Sequence, residues 1–336
     1  MIAKRIKQLK SQFNKFGIDG YVIPKNDEFF SEYAAKDRLK IISDFTGSAG
    51  FAIILKKKNF LFVDGRYTLQ AEIESGKQFK ITKYENIFNC KLFKKLTLGI
   101  DPKLFTSFQL DKYFKKYNNI KEIESNLVDR IYNKHSFQSK PFYSLNKNIT
   151  GENHFAKINK IASFLKKNKK NFLFVSAPEN AAWLLNIRGY DNPNSPIPNC
   201  RILISDKKKI FLISELIKSE KLIKEKKIKK NQVIEPQNFK TFIDKFKKKK
   251  IIIDQKSCSL FFENLFKKNF LIFKDEDPIY FLKSIKNKKE ITNMINAHIL
   301  DGVALTKFLY WIKKINQNKI TEYDAQKKLE NLEKKI

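Results

Sequence analysis

Short apolar runs alternate with amphipathic stretches along most of this chain. The first stretch, MIAKRIKQLKSQF, puts Ile2, Ile6, Leu9 and Phe13 on one face and predicts an amphipathic helix. DGYVIP (19–24) predicts a strand closed by Pro24, and FAIIL (51–55) and FLFVD (60–64), split by a lysine-rich turn, predict a hairpin. YTLQAEIES (67–75) has a helical period and stops at Gly76. LTLGID (96–101) predicts a buried strand, followed by a helix capped at Thr106 or Ser107. IKEIESNLVDRIY (120–132) runs from strand into a short helix.

After a polar connector the same alternation returns. A helix over 154–168 leads to the strand NFLFVSA (171–177), the helix PENAAWLLNI (178–187) and a proline-stiffened loop over 188–199. RILIS (201–205), KIFLIS (209–214) and IIID (251–254) predict further strands. The expected fold class is α/β: two successive domains of similar plan, 1–140 and 150–278, each a mixed sheet flanked by helices, with no repeat at the residue level. From 283 onward the pattern becomes purely helical. Residues 288–314 carry apolar positions at three-to-four spacing, and Thr321 with Asp324 predicts a capping box for a second helix. Two helices cannot bury their own faces, so 283–336 is expected to open a third, incomplete domain.

Composition narrows the function classes. A hydrophobic share of 42% supports packed cores, and no run of about 18 apolar residues is present to span a membrane. Cys90, Cys200 and Cys258 lie far apart with no CxxC pair, which favours a reducing, cytoplasmic setting. The net charge of +33 invites a nucleic-acid reading, but it comes almost wholly from dispersed lysine. Richness in Ile, Asn and Phe with few Gly, Pro and Ala matches AT-rich coding, so no specific nucleic-acid partner is expected. The six arginines (Arg5, Arg38, Arg66, Arg130, Arg188 and Arg201) then stand out. Each is a candidate for work that needs a planar, bidentate fork.

On the residues alone, Arg66 in DGRY is either the partner of Asp64 in a local ion pair or cap, or a guanidinium offered to a ligand. Arg188 and Asp191 bracket a loop that either faces a cleft or partner, or is fixed by a buried Arg188–Asp191 pair. TGSAG (46–50) lacks the spacing of a phosphate loop and reads as a tight turn. His298 and Asp301, three apart on one helix, could reach one ion, but the preferred reading is a half-buried histidine beside a solvated aspartate. Neither His135 nor His154 has a metal-like neighbour set, so no catalytic or metal-binding residue is assigned. Trp183 and Trp311 read as core residues.

An ordered series of segments resembles the aminopeptidase P group of the creatinase and prolidase "pita-bread" metallopeptidases. It runs YVIPKNDEFFSEY (21–33), ISDFTGSAGFAII (42–54), LFVDGRYTLQA (61–71), GIDP (99–102), ESNLVDRIY (124–132), ENAAWLLNIRGYDNPNSP (179–196) and the helix opening at 280. The resemblance implies two creatinase-N-terminal-like domains followed by the start of a pita-bread catalytic domain. It implies removal of an N-terminal residue ahead of proline in a full-length form. Two divalent metals, usually manganese, would be held there by two Asp, a His and two Glu beyond position 336. It also implies that Arg66 contacts substrate, and that these domains narrow the cleft and support a homodimer. The chain itself is expected to be inactive alone, with a separately encoded catalytic half as one possible partner. A creatinase-like hydrolase and a non-catalytic binding relative remain as alternatives.

Overall fold

The computed structural model describes residues 1–31, 33–34, 36–87, 94–132, 140–315 and 319–335. Cys90 and His135 fall outside them. The chain divides into two compact units: Met1–Ser144 with His154–Leu282, and Leu145–Asn153 with Lys283–Ile336.

The larger unit holds two six-stranded sheets. The first is built from β1 (Gly20–Pro24), β2 (Gly50–Leu55), β3 (Asn59–Val63), β4 (Lys80–Lys83), β5 (Thr97–Ile100) and β6 (Asn119–Glu122), in the spatial order β4-β3-β2-β1-β5-β6. β7 (Tyr143–Ser144) pairs with β9 (Ile187–Arg188) as a small separate ribbon. The second sheet comprises β8 (Phe172–Val175), β10 (Arg201–Ser205), β11 (Ile210–Ile213), β12 (Val233–Ile234), β13 (Lys249–Ile253) and β14 (Phe270–Lys274), in the order β12-β11-β10-β8-β13-β14.

The two orders are the same plan written twice. β1 runs antiparallel to β2 and parallel to β5, as β8 does to β10 and β13. β2 and β3 form a hairpin, as do β10 and β11, and the remaining neighbours are parallel in both sheets. Each sheet therefore has five parallel strands and one reversed strand, β2 or β10. The repeat that residue identities did not show is plain in topology.

Uninterrupted apolar runs such as FAII and FLFV make these strands buried on both faces, as sheets covered by helices require. On one side of the first sheet, Ile6, Leu9 and Phe13 from the N-terminal helices pack with Tyr21, Ile23, Ala52 and Leu61. On the other, Phe51, Phe60 and Phe62 meet Leu110 and Phe114. The second sheet is clothed in the same way, with a phenylalanine-rich cluster around Phe174, Phe239, Phe262 and Phe266.

The halves of this unit are bonded to each other. Leu260 N donates to Phe105 O at 2.7 Å, and Phe261 N to Pro102 O at 3.0 Å. Glu263, 2% exposed, accepts from the Ser107 hydroxyl at 2.7 Å and pairs with Lys274 at 2.9 Å.

In the smaller unit the long helix spans Lys288–Lys314, capped by an Asn287–Glu290 box, and the second spans Glu322–Glu333, capped by Thr321 and Asp324 as the sequence predicts. Asn287 also donates to Thr150 O at 2.9 Å, and Gly151 leaves room for it: a Cβ there would sit 2.3 Å from its Oδ1. Of the long helix only Ala304 is buried, while Ile295, Ile299 and Leu300 are exposed. No helix among the described residues is long and apolar enough to cross a membrane.

Candidate functional site

Arg66 stands at one end of the first sheet, in a single 3-10 turn between β3 and the helix Thr68–Ser75. Asp64 caps that turn by accepting from Arg66 N at 2.9 Å. It also takes the guanidinium, through Nε at 2.9 Å and Nη2 at 3.3 Å. These hydrogen bonds hold the Asp64 carboxyl below its ordinary range. The guanidinium lies 5.4 Å from the centre of the Tyr67 ring. Tyr67 in turn is fixed by Ser48, at 3.0 Å between hydroxyls, and by an edge contact with buried Phe45.

The Arg66 side chain nevertheless remains 73% exposed. The local ion pair and the exposed guanidinium, set against each other as alternatives, therefore coexist. Asp64 orients the arginine at the rim of the sheet without burying it.

The same end of the sheet carries the TGSAG turn. Gly47 packs flat on Phe45, where a Cβ would come within 2.2 Å of the ring, and a Cβ on Gly50 would touch Phe62 O at 3.0 Å. The small residues expected to form a tight turn here pack closely, in a bend without a backbone hydrogen bond of its own among the described residues. Beside it lies a cavity of about 290 Å³ bounded by Pro24, Lys25, Ser48, Gly50, Phe51 and Tyr84. Lys25 is held by Asp37 at 2.5 Å.

Arg188 and Asp191 are not partners. Asp191 is buried and accepts from Lys218 Nζ at 2.7 Å and from Asn199 N at 2.7 Å, which folds the loop back on itself. Arg188 is half-buried and donates to Ile187 O at 2.9 Å, and burial lowers its pKa. The sequence supplied an arginine three residues away, whereas the fold supplied a lysine from the helix Leu216–Lys224, a distant partner that local spacing cannot reveal. Asn192 on the same loop reaches across to the Ser31 hydroxyl at 3.0 Å. The loop is thus partly a brace between the halves, with an open hollow along Tyr190, Pro193 and Pro196.

His298 and Asp301 are both exposed, and no group of three or more potential ligand side chains assembles among the described residues. These residues therefore do not fit a metal centre. His154 is 9% exposed, with Nε2 lacking a partner. Burial, with Lys227 and Lys157 near by, depresses its pKa to about 4. Cys200 and Cys258 are buried, free thiols whose pKa burial raises, to about 12 for Cys200.

Sequence reasoning treated the six arginines as one class; the structure divides them. Arg38, 2% exposed, is the bidentate one: Nε and Nη2 reach Asp129 at 3.0 and 2.9 Å, and Nη2 also reaches Glu28 at 2.5 Å. Burial alone would lower its pKa, but the Asp129 hydrogen bonds and the Glu28 charge carry it above the ordinary value. Arg5 pairs with Asp44, and Arg130 lies over Phe16. Arg201, which no motif singled out, is buried at the first position of β10.

Two models described as the creatinase/prolidase N-terminal domain match this chain, one over residues 5–130 and one over 133–290. Those spans are the two halves with the repeated sheet. Among curated proteins, Xaa-Pro aminopeptidase 1 of Dictyostelium discoideum is 31% identical over 98% of this chain and 57% of its own length. A probable Xaa-Pro aminopeptidase P of Laccaria bicolor is 28% identical over 93% and 51%, and Xaa-Pro aminopeptidase 2 of Rattus norvegicus 26% over 98% and 52%. The chain belongs to the aminopeptidase P group of the creatinase/prolidase family. It spans about half the length of the curated relatives it matches. Its fold is that of a Caenorhabditis elegans X-prolyl aminopeptidase, described as a cytosolic enzyme with a di-nuclear active site. The match has a TM-score of 0.85 at 22% identity and covers 99% of this chain and 59% of that one.

Proposed function

We propose that this chain supplies the substrate-gating half of a cytoplasmic Xaa-Pro aminopeptidase, releasing an N-terminal residue that precedes proline once joined to a metal-binding pita-bread domain. What carries the reading is the match to Xaa-Pro aminopeptidases along nearly the whole chain. In this reading the organisation is 1–140, 150–278 and the opening of a catalytic domain at 283–336, and the whole assembly is a homodimer. Relatives of this kind suggest two divalent metals, manganese by resemblance, held outside the residues described here.

Arg66 is the substrate contact in this reading. Its guanidinium is exposed and pre-set by Asp64, so little side-chain freedom is lost when it meets a peptide carboxylate or carbonyl. The 188–199 loop, stiffened by prolines and tied by Asp191, shapes a wall of the cleft or of a partner contact. The exposed apolar face of the long helix is covered by the remainder of the catalytic domain, in the same chain or a separate one.

The test is release of the first residue from an Xaa-Pro peptide, with manganese added, by the 336-residue chain alone and by the chain joined to a pita-bread half with the two Asp, the His and the two Glu. Only the joined form is expected to be active. Arg66→Ala in it is expected to raise KM about tenfold or more while stability stays unchanged, since exposed ion pairs contribute little. Activity of the chain alone, or an unchanged KM, overturns the corresponding part.

A further inference from the structure

A second cavity, distinct from the one beside the TGSAG turn, takes in Arg201. It measures about 640 Å³ and lies between the two halves of the larger unit, at the carboxyl ends of β11 and β12 and the start of β10. By the topological repeat this is the counterpart, in the second sheet, of the end that carries Arg66 in the first. Crevices outside the carboxyl ends of strands are where open α/β sheets bind ligands.

Arg201 reaches into this cavity from the first position of β10. Its guanidinium lies over two rings that also line the cavity, Phe29 at 4.1 Å and Phe262 at 4.7 Å, and Nη2 donates to Glu28 O. Two rings thus pack against the guanidinium and one corner is tied. Among the described residues it has no further hydrogen bond and no carboxylate within ion-pair distance, because the Glu28 carboxylate is taken by Arg38.

Arg201 is only 9% exposed, and burial lowers its pKa to about 10 although the Glu28 and Asp27 carboxylates near by act the other way. Such a charge is costly unless something completes it.

The surroundings say what would complete it. Lys103 and Lys240 stand on the walls with Glu215, whereas the charge of Lys218 is met by Asp191 and that of Glu28 by Arg38. Phe239, Phe261 and Leu265 supply an apolar floor. The edge of a guanidinium plane suits a flat, two-oxygen acceptor.

We propose that the cavity around Arg201 binds a small organic carboxylate with an apolar or aromatic body, the carboxylate meeting the Arg201 edge and the body lying on Phe239 and Leu265. The site is separate from the Arg66 end and does not depend on the peptidase reading.

The experiment is calorimetric titration of the 336-residue chain with 4-phenylbutyrate and, separately, with neutral 4-phenylbutanamide of the same shape, in physiological salt. The carboxylate is expected to bind about tenfold tighter or more than the amide. Arg201→Met, which keeps an unbranched apolar chain against the two rings, should remove that preference. Leu265→Trp, which fills the cavity and leaves the net charge unchanged, should abolish binding of both, with circular dichroism confirming that each variant is folded. Binding that survives Leu265→Trp reflects diffuse attraction to a basic protein and overturns the site. Equal binding of acid and amide, or no binding of the acid at millimolar concentration, overturns it as well.

Discussion

At the scale of single residues, the arginines show what a compositional argument delivers. Scarcity marked all six as worth following, and Arg38 does what that reasoning asks: a buried fork across two carboxylates. Glu28 and Asp129 keep some solvent contact, so Arg38→Met should cost about 3 kcal/mol, toward the lower end for breaking a buried pair, read as a shift in urea midpoint. Burial pushes both carboxyls up, yet Arg38 holds each below its ordinary pKa. The fate of Asp191 was not legible, because its partner Lys218 is 27 positions away and one lysine among dozens. His154 gives a pH dependence. Its folded pKa lies near 4 against an ordinary 6.5, so the unfolded chain takes the proton first. Stability is intact above about pH 6.5 and falls as pH drops toward 4, and His154→Gln should remove about 1–2 kcal/mol of that loss between pH 7 and 5.

At the scale of elements, the strands with uninterrupted apolar runs were readable. The hairpin of β2 and β3, the strand β1 and the long helix Lys288–Lys314 lie where the pattern places them, within a residue or so at most ends. What escaped were elements whose side chains do not announce them. β4 reads KITK with no buried residue, and β12 is two residues long, so each owes its strand form to a neighbour already in place. The helix Arg38–Ser43 is short and takes its register from the Asp37 cap. The turn before β2 is the most constrained element. Gly47→Ala would drive a Cβ into the Phe45 ring, which is wholly buried, and should destabilise by about 1–3 kcal/mol in a denaturant titration.

At the scale of the whole molecule, the charge that first suggested a polyanionic partner has a plainer effect. With a formal +33, the folded chain repels itself, and added salt screens that repulsion. The melting temperature should rise as sodium chloride increases from low to about 0.5 M, the reverse of a molecule held by surface ion pairs. What was legible of the proposed sites was partial. Arg66, the proposed substrate contact, could be singled out because a short motif carries it. The Arg201 cavity could not, since Phe29, Arg201, Phe239 and Phe262 meet only when two sheets are folded and docked.

The strand order also sets a timetable. In the first sheet β2, β3 and β4 are neighbours in sequence as well as space, whereas β1 must wait for β5, pairing Gly20 with Leu98 across an intervening hairpin. During synthesis the hairpin can close as soon as it emerges, but the central strand is sealed on its second edge only after residue 100 is made. Substitutions at Ile53 or Phe60 should therefore slow refolding, while Leu98→Ala should chiefly speed unfolding. The second sheet repeats the delay through β8 and β13, so a ribosome building this chain twice holds a sheet that is open along its middle.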